Sequence, residues 1–233
     1  MKIISLVSFK GGVGKTTTLQ MLSSALLARG HRVALIESDD NVPLNQWREN
    51  ARQQGTWDEA LDIFPAGSAG AVIEAMEAAE AAGVDYLLVD THGGGSDLNN
   101  AVITNSSLVI VPTAITSADL PRTIETLAYL TKVRKTEGLE GSLVLAILIT
   151  RLPLVVNKSR QDEIDALSRL PVFQTHVRDR DALARMERTG LLHLTLAQRE
   201  ASGSKVSATH FKTAMRETLE LGDEVLTIVE RAS

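Results

Sequence analysis

Short runs of β-branched and aliphatic residues alternate along the chain with longer stretches of helical composition. The runs that we predict as strands are residues 3–9, 32–36, 84–89, 108–111 and 143–149, with a brief strand near Val172. The stretches that we predict as helices are residues 16–29, 44–54, 69–82, 119–135, 160–169, 179–188 and 206–231. Strands that alternate with helices are typical of a doubly wound, mostly parallel sheet with helices on both faces. We therefore predict an α/β fold, and we expect residues 1–233 to form a single domain.

Two further boundaries follow from turn-forming residues. Pro112 is expected to end the strand that begins at Leu108, because proline cannot donate a hydrogen bond to a neighbouring strand. Residues 198–205, which include Ser202, Gly203 and Ser204, are expected to form a surface loop.

Composition excludes several classes of protein. The chain has no cysteine, which excludes disulfides, cysteine-ligated zinc and iron–sulfur clusters. The first apolar run stops at Lys10 inside a glycine-rich loop, so it is typical of a strand and not of a signal peptide. Every apolar run is too short to span a bilayer. We expect a cytoplasmic protein that is not inserted into a membrane.

A glycine-rich segment joins the first predicted strand to the first predicted helix. Its glycines allow backbone N–H groups to surround phosphates, and the helix directs its positive end at the same anion. A lysine here neutralises β- and γ-phosphate charge, and the following threonine hydroxyl is placed for Mg²⁺. The alternative is a structural glycine turn with an incidental lysine, which eight matching positions in this context disfavour. The residues predicted to bind ATP and Mg²⁺ are Gly11, Gly12, Val13, Gly14, Lys15, Thr16 and Thr17.

An acidic residue also ends the buried strand predicted at 84–89. Asp90 lies where nucleotide-binding proteins carry the carboxylate that holds Mg²⁺ directly or through water, so we predict a metal site at Asp90 and Thr16. Glycines 93–95 after it are typical of a switch that senses the γ-phosphate. His92 within this segment is either a local structural residue, which we favour, or a sensor of phosphate or pH.

The glycine-rich segment departs from the common pattern G-x-x-x-x-G-K-[ST], and it resembles the variant loop of the ParA/MinD family of P-loop ATPases. That family carries an extra lysine at the start of the loop, here Lys10. The resemblance implies a homodimer with ATP between facing protomers, in which Lys10 reaches the partner's nucleotide. It also implies that Asp39 orients the attacking water, with Glu37 in place of the usual first aspartate. A solvated acidic turn is the alternative for Asp39 and the preferred interpretation for Asp40.

The same resemblance indicates where the base would lie. Thr150 and Arg151 follow a late strand and are similar to the family's adenine-contacting pair. Residues 177–181 occur where relatives pack a loop beside the base.

Three stretches, residues 41–50, 90–100 and 190–196, resemble one branch of this family, the VirC ATPases of the agrobacterial virulence region. This implies binding to double-stranded DNA beside the border of the transferred DNA. It also implies recruitment of the relaxase–DNA complex to a type IV secretion system and its coupling protein. A plasmid partition ATPase and a nucleotide-gated scaffold that does not hydrolyse ATP remain the alternatives. His193, in the last stretch, is expected to be a packed histidine.

The DNA-contacting residues are less defined. The net charge of −5 argues against a surface coated with basic residues, but a local patch remains compatible with it. We recognise no helix-turn-helix pattern. One candidate set shares a face of the last predicted helix, with His210 at its margin, and a second set follows the strand at 143–149. The sets are Lys205, Lys212 and Arg216, and Arg151, Lys158 and Arg160. A solvated helix face is the alternative for either set.

Overall fold

The chain forms one parallel sheet covered by helices. A computed structural model describes residues 1–38, 43–91, 96–203 and 205–231. The strands are β1 (Lys2–Leu6), β2 (Val33–Glu37), β3 (Leu61–Pro65), β4 (Tyr86–Asp90), β5 (Leu108–Thr113) and β6 (Val144–Ile149). The helices are α1 (Lys15–Ala28), α2 (Pro43–Gln54), α3 (Ala69–Ala81), α4 (Asp97–Asn105), α5 (Asp119–Thr136), α6 (Lys158–Leu167), α7 (Asp181–Ala184), α8 (Met186–Thr189), α9 (Leu192–Ala201) and α10 (Lys205–Arg231).

Both faces of the sheet are buried. Successive residues of a strand point to opposite faces, and β4 shows the consequence. Leu88 packs in a large apolar cluster with residues of α1 and α10, whereas Leu87 and Val89 pack in a second cluster with residues of α3. Strands that are buried on both faces carry continuous apolar runs, which is why β1, β4 and β5 could be recognised in the sequence.

The order of the strands determines where a ligand can bind. The order is β3-β2-β4-β1-β5-β6, and every neighbouring pair is parallel. Chain order reverses at β1, and Leu6 at its end lies opposite Asp90 at the end of β4. The segments that follow β1 and β4 therefore leave the sheet side by side, at the switch point where open α/β sheets bind ligands.

The predicted α/β fold is confirmed, but the expected end of β5 at Pro112 is wrong. Alternate residues of β5 bond to its two neighbours: the Ile110 carbonyl accepts from Val7 beyond β1, and the Thr113 carbonyl accepts from Thr150 beyond β6. Pro112 belongs to the side that faces β1, whose pairing with β5 ends at Ile110. A missing N–H costs little there, so the strand continues through the proline.

Other boundaries also differ from the prediction. Three elements, β3, α4 and α9, were not predicted. The helix expected at 179–188 is divided into α7 and α8. The strand expected near Val172 is a single β-bridge to Ile147. The loop expected at 198–205 is largely helical, since α9 continues to Ala201 and α10 begins at Lys205. Gly203, with a φ of +75°, supplies the turn that separates the two helices. None of the helices in the described residues is long and apolar enough to cross a membrane.

Candidate nucleotide-binding site

The loop between β1 and α1 has the backbone of an anion-binding loop. Gly12 and Gly14 have φ values of +74° and +87°, in the left-handed region that other residues adopt only with strain. Gly14 precedes the first residue of α1, and within the described part of the chain no side chain caps that helix. The first N–H groups of a helix lack partners within the helix and favour an anion.

Two residues at the end of β6 support this loop from below. The buried Thr150 hydroxyl donates to the Val13 carbonyl oxygen at 2.7 Å, and Arg151 Nη1 donates to the Gly12 carbonyl oxygen at 2.8 Å. Arg151 has a φ of 51°, which is uncommon for a residue with a side chain and is typical of functional segments. The two residues predicted to contact the base therefore also hold the phosphate loop in place.

The predicted metal ligands lie together. The Thr16 hydroxyl donates to Asp90 Oδ2 at 2.7 Å, and Lys15 Nζ lies 4.0 Å from Asp90 Oδ1. The described residues include no group of three or more histidine, cysteine or acidic side chains that could hold a metal ion. A magnesium–nucleotide site does not need such a group, because Mg²⁺ takes one or two protein oxygens together with phosphate oxygens and water. The hydroxyl of Thr16 and the carboxylate of Asp90 are oxygen donors of this kind.

Glu37 ends β2 and anchors the next helix. Its buried carboxylate accepts hydrogen bonds from the backbone N–H groups of Leu44 and Asn45, at 2.6 and 3.3 Å, in the first turn of α2. A negative charge at a helix N-terminus is stabilising, so Glu37 fixes where α2 begins. Asp39 and Asp40, and likewise His92, lie outside the described residues.

Lys10 is bound within its own protomer. Its ammonium group forms an ion pair with the carboxylate of Asp119, the first residue of α5. The Asp119 side chain is only 7% exposed and accepts a second hydrogen bond from the Thr116 hydroxyl at 2.5 Å, whereas the Lys10 side chain is 36% exposed. The lysine predicted to act on a partner's nucleotide thus has an acidic partner in cis, which we did not predict.

A cleft of about 360 Å³ opens beside the phosphate loop. Its floor comes from the loop, the first turn of α1 and the end of β6, and its far wall comes from residues 177–180 with Leu183 and Ala184. The segment predicted to pack beside the base therefore faces the predicted phosphate-binding residues across one cleft. Burial lowers the pKa of His176 just before this wall, and the nearby Arg178 lowers it further.

The predicted DNA-binding residues form two separate sets. Lys212 and Arg216 on α10 have side chains 67% and 70% exposed, and they pair with Glu200 and Glu220. α10 includes Lys205, whose side chain is not described.

The second set lies around the start of α6. Lys158 and Arg160 belong to its first turn, whereas Arg151 is bound to the phosphate loop. His210, which was predicted at the margin of the basic face of the last helix, is exposed. His193, which was predicted to be packed, is partly buried on α9, and burial lowers its pKa.

Comparisons with known proteins identify similar sequences and similar folds. A sequence model of the VirC1 protein family matches residues 1–231. Protein virC1 of Rhizobium rhizogenes is 38% identical over 233 residues, which is 99% of this chain and 100% of that protein. Protein virC1 of Rhizobium radiobacter is 41% identical over 199 residues, which is 84% of each chain.

Solved structures show a similar fold at low identity. A plasmid partition protein of Borrelia burgdorferi bound to AMPPNP has a TM-score of 0.66 and 16% identity, and covers 97% of this chain and 98% of its own. The MinD cell division protein of Aquifex aeolicus has a TM-score of 0.69 and 16% identity, with the same coverage. At these identities the likeness shows the fold alone.

Proposed function

The chain belongs to the VirC1 family, and on this premise we propose that it is an ATP-dependent molecular switch that serves DNA transfer. The observation that carries the proposal is the contact of 2.7 Å between the Thr16 hydroxyl and the Asp90 carboxylate. It joins the first turn of α1 to the end of β4, beside Lys15 and a glycine loop with left-handed backbone. A hydroxyl, a carboxylate and a lysine around uncapped helix amides match the requirements of a magnesium–nucleoside triphosphate.

Each residue of the site then has a chemical task. The amides of residues 11–14 and Lys15 hold the phosphates, and Thr16 and Asp90 hold Mg²⁺, which neutralises charge on the phosphate oxygens. Residues 177–180 lie on the side of the base. Asp39, by its position after β2, orients the attacking water.

We propose further that two protomers face each other across ATP, with Lys10 of each protomer directed at the partner's nucleotide. The partly exposed side chain of Lys10 supports this step, because a lysine with a flexible four-carbon stem can leave Asp119 without unfolding of the loop. Exchange of one anionic partner for another gives ATP control over the association of protomers.

DNA contact through α10 is the third part of the proposal. Lys212 and Arg216 are well exposed, and exposed ion pairs contribute at most about 1 kcal/mol, so phosphates can replace Glu200 and Glu220 as their partners. The relaxase complex and the coupling protein of the secretion system are the protein partners that the VirC resemblance implies.

A plasmid partition ATPase is the second candidate. The 27% identity over 112 residues to protein ParA of Rhizobium radiobacter favours this possibility. The nucleotide chemistry is the same for both candidates, so only the DNA that is bound can separate them.

The nucleotide site is tested by Lys15→Ala in calorimetric titrations with Mg-ATP and in a phosphate-release assay. We expect loss of productive binding and hydrolysis, because Lys15 supplies the positive charge beside the phosphates. Lys132→Ala, which removes an exposed lysine from α5, is the matched control and should behave as wild type. Normal binding and turnover by Lys15→Ala would show that the site is assigned wrongly.

The role is tested by binding of random duplex and border-type duplex at one stated salt concentration, with and without Mg-ATP. Lys15→Ala is again the control. ATP-dependent binding that favours the border duplex supports DNA transfer. Equal binding of both duplexes supports partition, and no binding of either would leave only a protein scaffold.

A further inference from the structure

One carboxylate of α10 contacts two arginines of the cleft wall. Glu217 accepts hydrogen bonds from Arg180 Nε and Nη2, at 2.7 and 2.6 Å, and its Oε1 lies 3.6 Å from Arg178 Nε. The side chain of Glu217 is 9% exposed, and that of Arg180 is 20% exposed. This is a two-point contact between planar groups, which fixes orientation as well as distance.

The wall has little regular structure of its own to hold it in place. The backbone of Val177 and Asp179 bonds to β6 and to the segment after it, through the carbonyl oxygens of Ile149 and Leu152. Beyond Asp179 the chain enters α7, which has only four residues. No side chain caps α7 within the described residues, and Arg180, which precedes it, is held by two hydrogen bonds to Glu217.

The charge of Glu217 also affects the two arginines. Its hydrogen bonds raise the pKa of the Arg180 guanidinium, and its own charge offsets one of the two guanidinium charges on the wall that faces the phosphate loop. Without the carboxylate, both guanidinium groups would face the phosphate loop across the cleft without this partner, and the wall would be less ordered. The loss of negative charge would strengthen the attraction of the phosphates, whereas the loss of order in the wall would weaken the binding of the base.

We propose that Glu217 is a positioning residue for nucleotide recognition, which holds Arg178 and Arg180 so that the wall presents a fixed surface to the base. Glu217 thereby determines how much of the affinity comes from the base and how much from the phosphates. This inference rests on the proposed function, since it takes the cleft to be the nucleotide site.

The test compares Mg-ATP with Mg-tripolyphosphate, which carries the phosphates but no base, in calorimetric titrations of Glu217→Gln. We expect the affinity for ATP to fall about tenfold, as for loss of a hydrogen-bonded charged partner. The affinity for tripolyphosphate should stay equal or rise. A variant that was only less stable would lose affinity for both ligands in proportion. Glu220→Gln, which removes a largely exposed carboxylate three residues further along α10, is the matched control and should keep the wild-type ratio.

A second variant protects the test against misfolding. Arg180→Leu/Glu217→Leu replaces the largely buried charged pair by two apolar side chains that cannot hydrogen-bond to each other, and we expect it to fold and to show the same reduced preference for ATP over tripolyphosphate. A wild-type ratio in either folded variant would overturn the inference while the proposed function stood. A wild-type protein that bound neither ligand would overturn both.

Discussion

The ion pair between Lys10 and Asp119 makes dimerisation sensitive to a residue outside the phosphate loop. If Lys10 acts on the partner's nucleotide, each protomer must first break its own pair. Asp119→Asn weakens the pair but keeps the size of the side chain and its ability to accept from Thr116. We therefore expect the variant to dimerise at lower protein concentration in Mg-ATP.

The size of the effect follows from the exposure of the two side chains. Exposed pairs contribute at most about 1 kcal/mol, and removal of one partner from a buried pair costs about 3–5 kcal/mol. The Lys10 side chain is 36% exposed, so the contribution lies near the lower range, at about 1 kcal/mol per protomer. Two pairs break per dimer, which gives about 2 kcal/mol and a dimer dissociation constant about 30-fold lower.

Sedimentation equilibrium in Mg-ATP over a concentration series would measure this constant. Glu125→Gln on α5 removes an exposed carboxylate that pairs with Arg122, and this control should leave the constant unchanged. When Lys10→Ala is already present, Asp119→Asn should have no further effect on the constant, because no pair is left to break. A dissociation constant for Asp119→Asn equal to that of Glu125→Gln, or higher, would refute the reasoning.

Three further predictions concern the metal, the fold and DNA. Thr16→Ala should lower the stimulation of ATP binding by Mg²⁺ at least about tenfold, and Thr16→Ser should restore it, as measured by titration with and without the metal. Gly190→Ala should lower the free energy of unfolding in urea by about 3 kcal/mol, since φ is +83° and a Cβ would clash with the Thr56 hydroxyl; Gly70→Ala, with open space around it, should not destabilise the protein. Lys212→Ala/Arg216→Ala should reduce the slope of log affinity for DNA against log salt by about 2, one for each phosphate that is no longer bound; an unchanged slope would exclude this face of α10.

The elements with the strongest patterns were predictable from the sequence. β1, β4 and β6 are buried on both faces and appear in the sequence as continuous apolar runs. The phosphate loop was recognised by its glycines, which allow a backbone conformation that other residues adopt only with strain. β3 was missed because Asp62 and Pro65 interrupt its apolar pattern, and as an edge strand it pairs only with β2 among the residues that the structure describes. α9 was missed because its last turn, residues 198–201, is polar and largely exposed, although the helix packs against α10 and α1.

The resemblance of residues 190–196 to VirC proteins also has a physical counterpart. Gly190 adopts a backbone conformation with φ of +83° and ψ of −150°, and Ala51 and Thr56 leave no space for a Cβ. A glycine in the sequence signals a turn, but only the packed structure shows that the space beside it is filled by Ala51 of α2 and by Thr56 beyond the end of that helix. In this chain Gly190 thus meets a requirement of packing.

Two acidic residues at the cleft, Asp119 and Glu217, were not predicted from the sequence, whereas Asp90 was predicted there as a metal ligand. The glycine-rich motif contains the cations Lys10 and Lys15, and Arg180 belongs to the segment that was predicted to lie beside the base. Their carboxylates come from three other elements: Asp119 from α5, Asp90 from β4 and Glu217 from α10.

The sequence separations of these pairs are 109, 75 and 37 residues, by subtraction of the residue numbers, so no local pattern joins them. Asp90 and Asp119 lie there because the ends of parallel strands and the starts of the helices that follow them meet at one edge of the sheet, whereas Glu217 comes from the middle of α10, which packs against α1 and α7. The charge beside the phosphate loop is therefore a property of the assembled edge, and the net charge of −5 does not describe it. Substitution of any of these three acids should change nucleotide binding or dimerisation although none of them belongs to the glycine-rich motif.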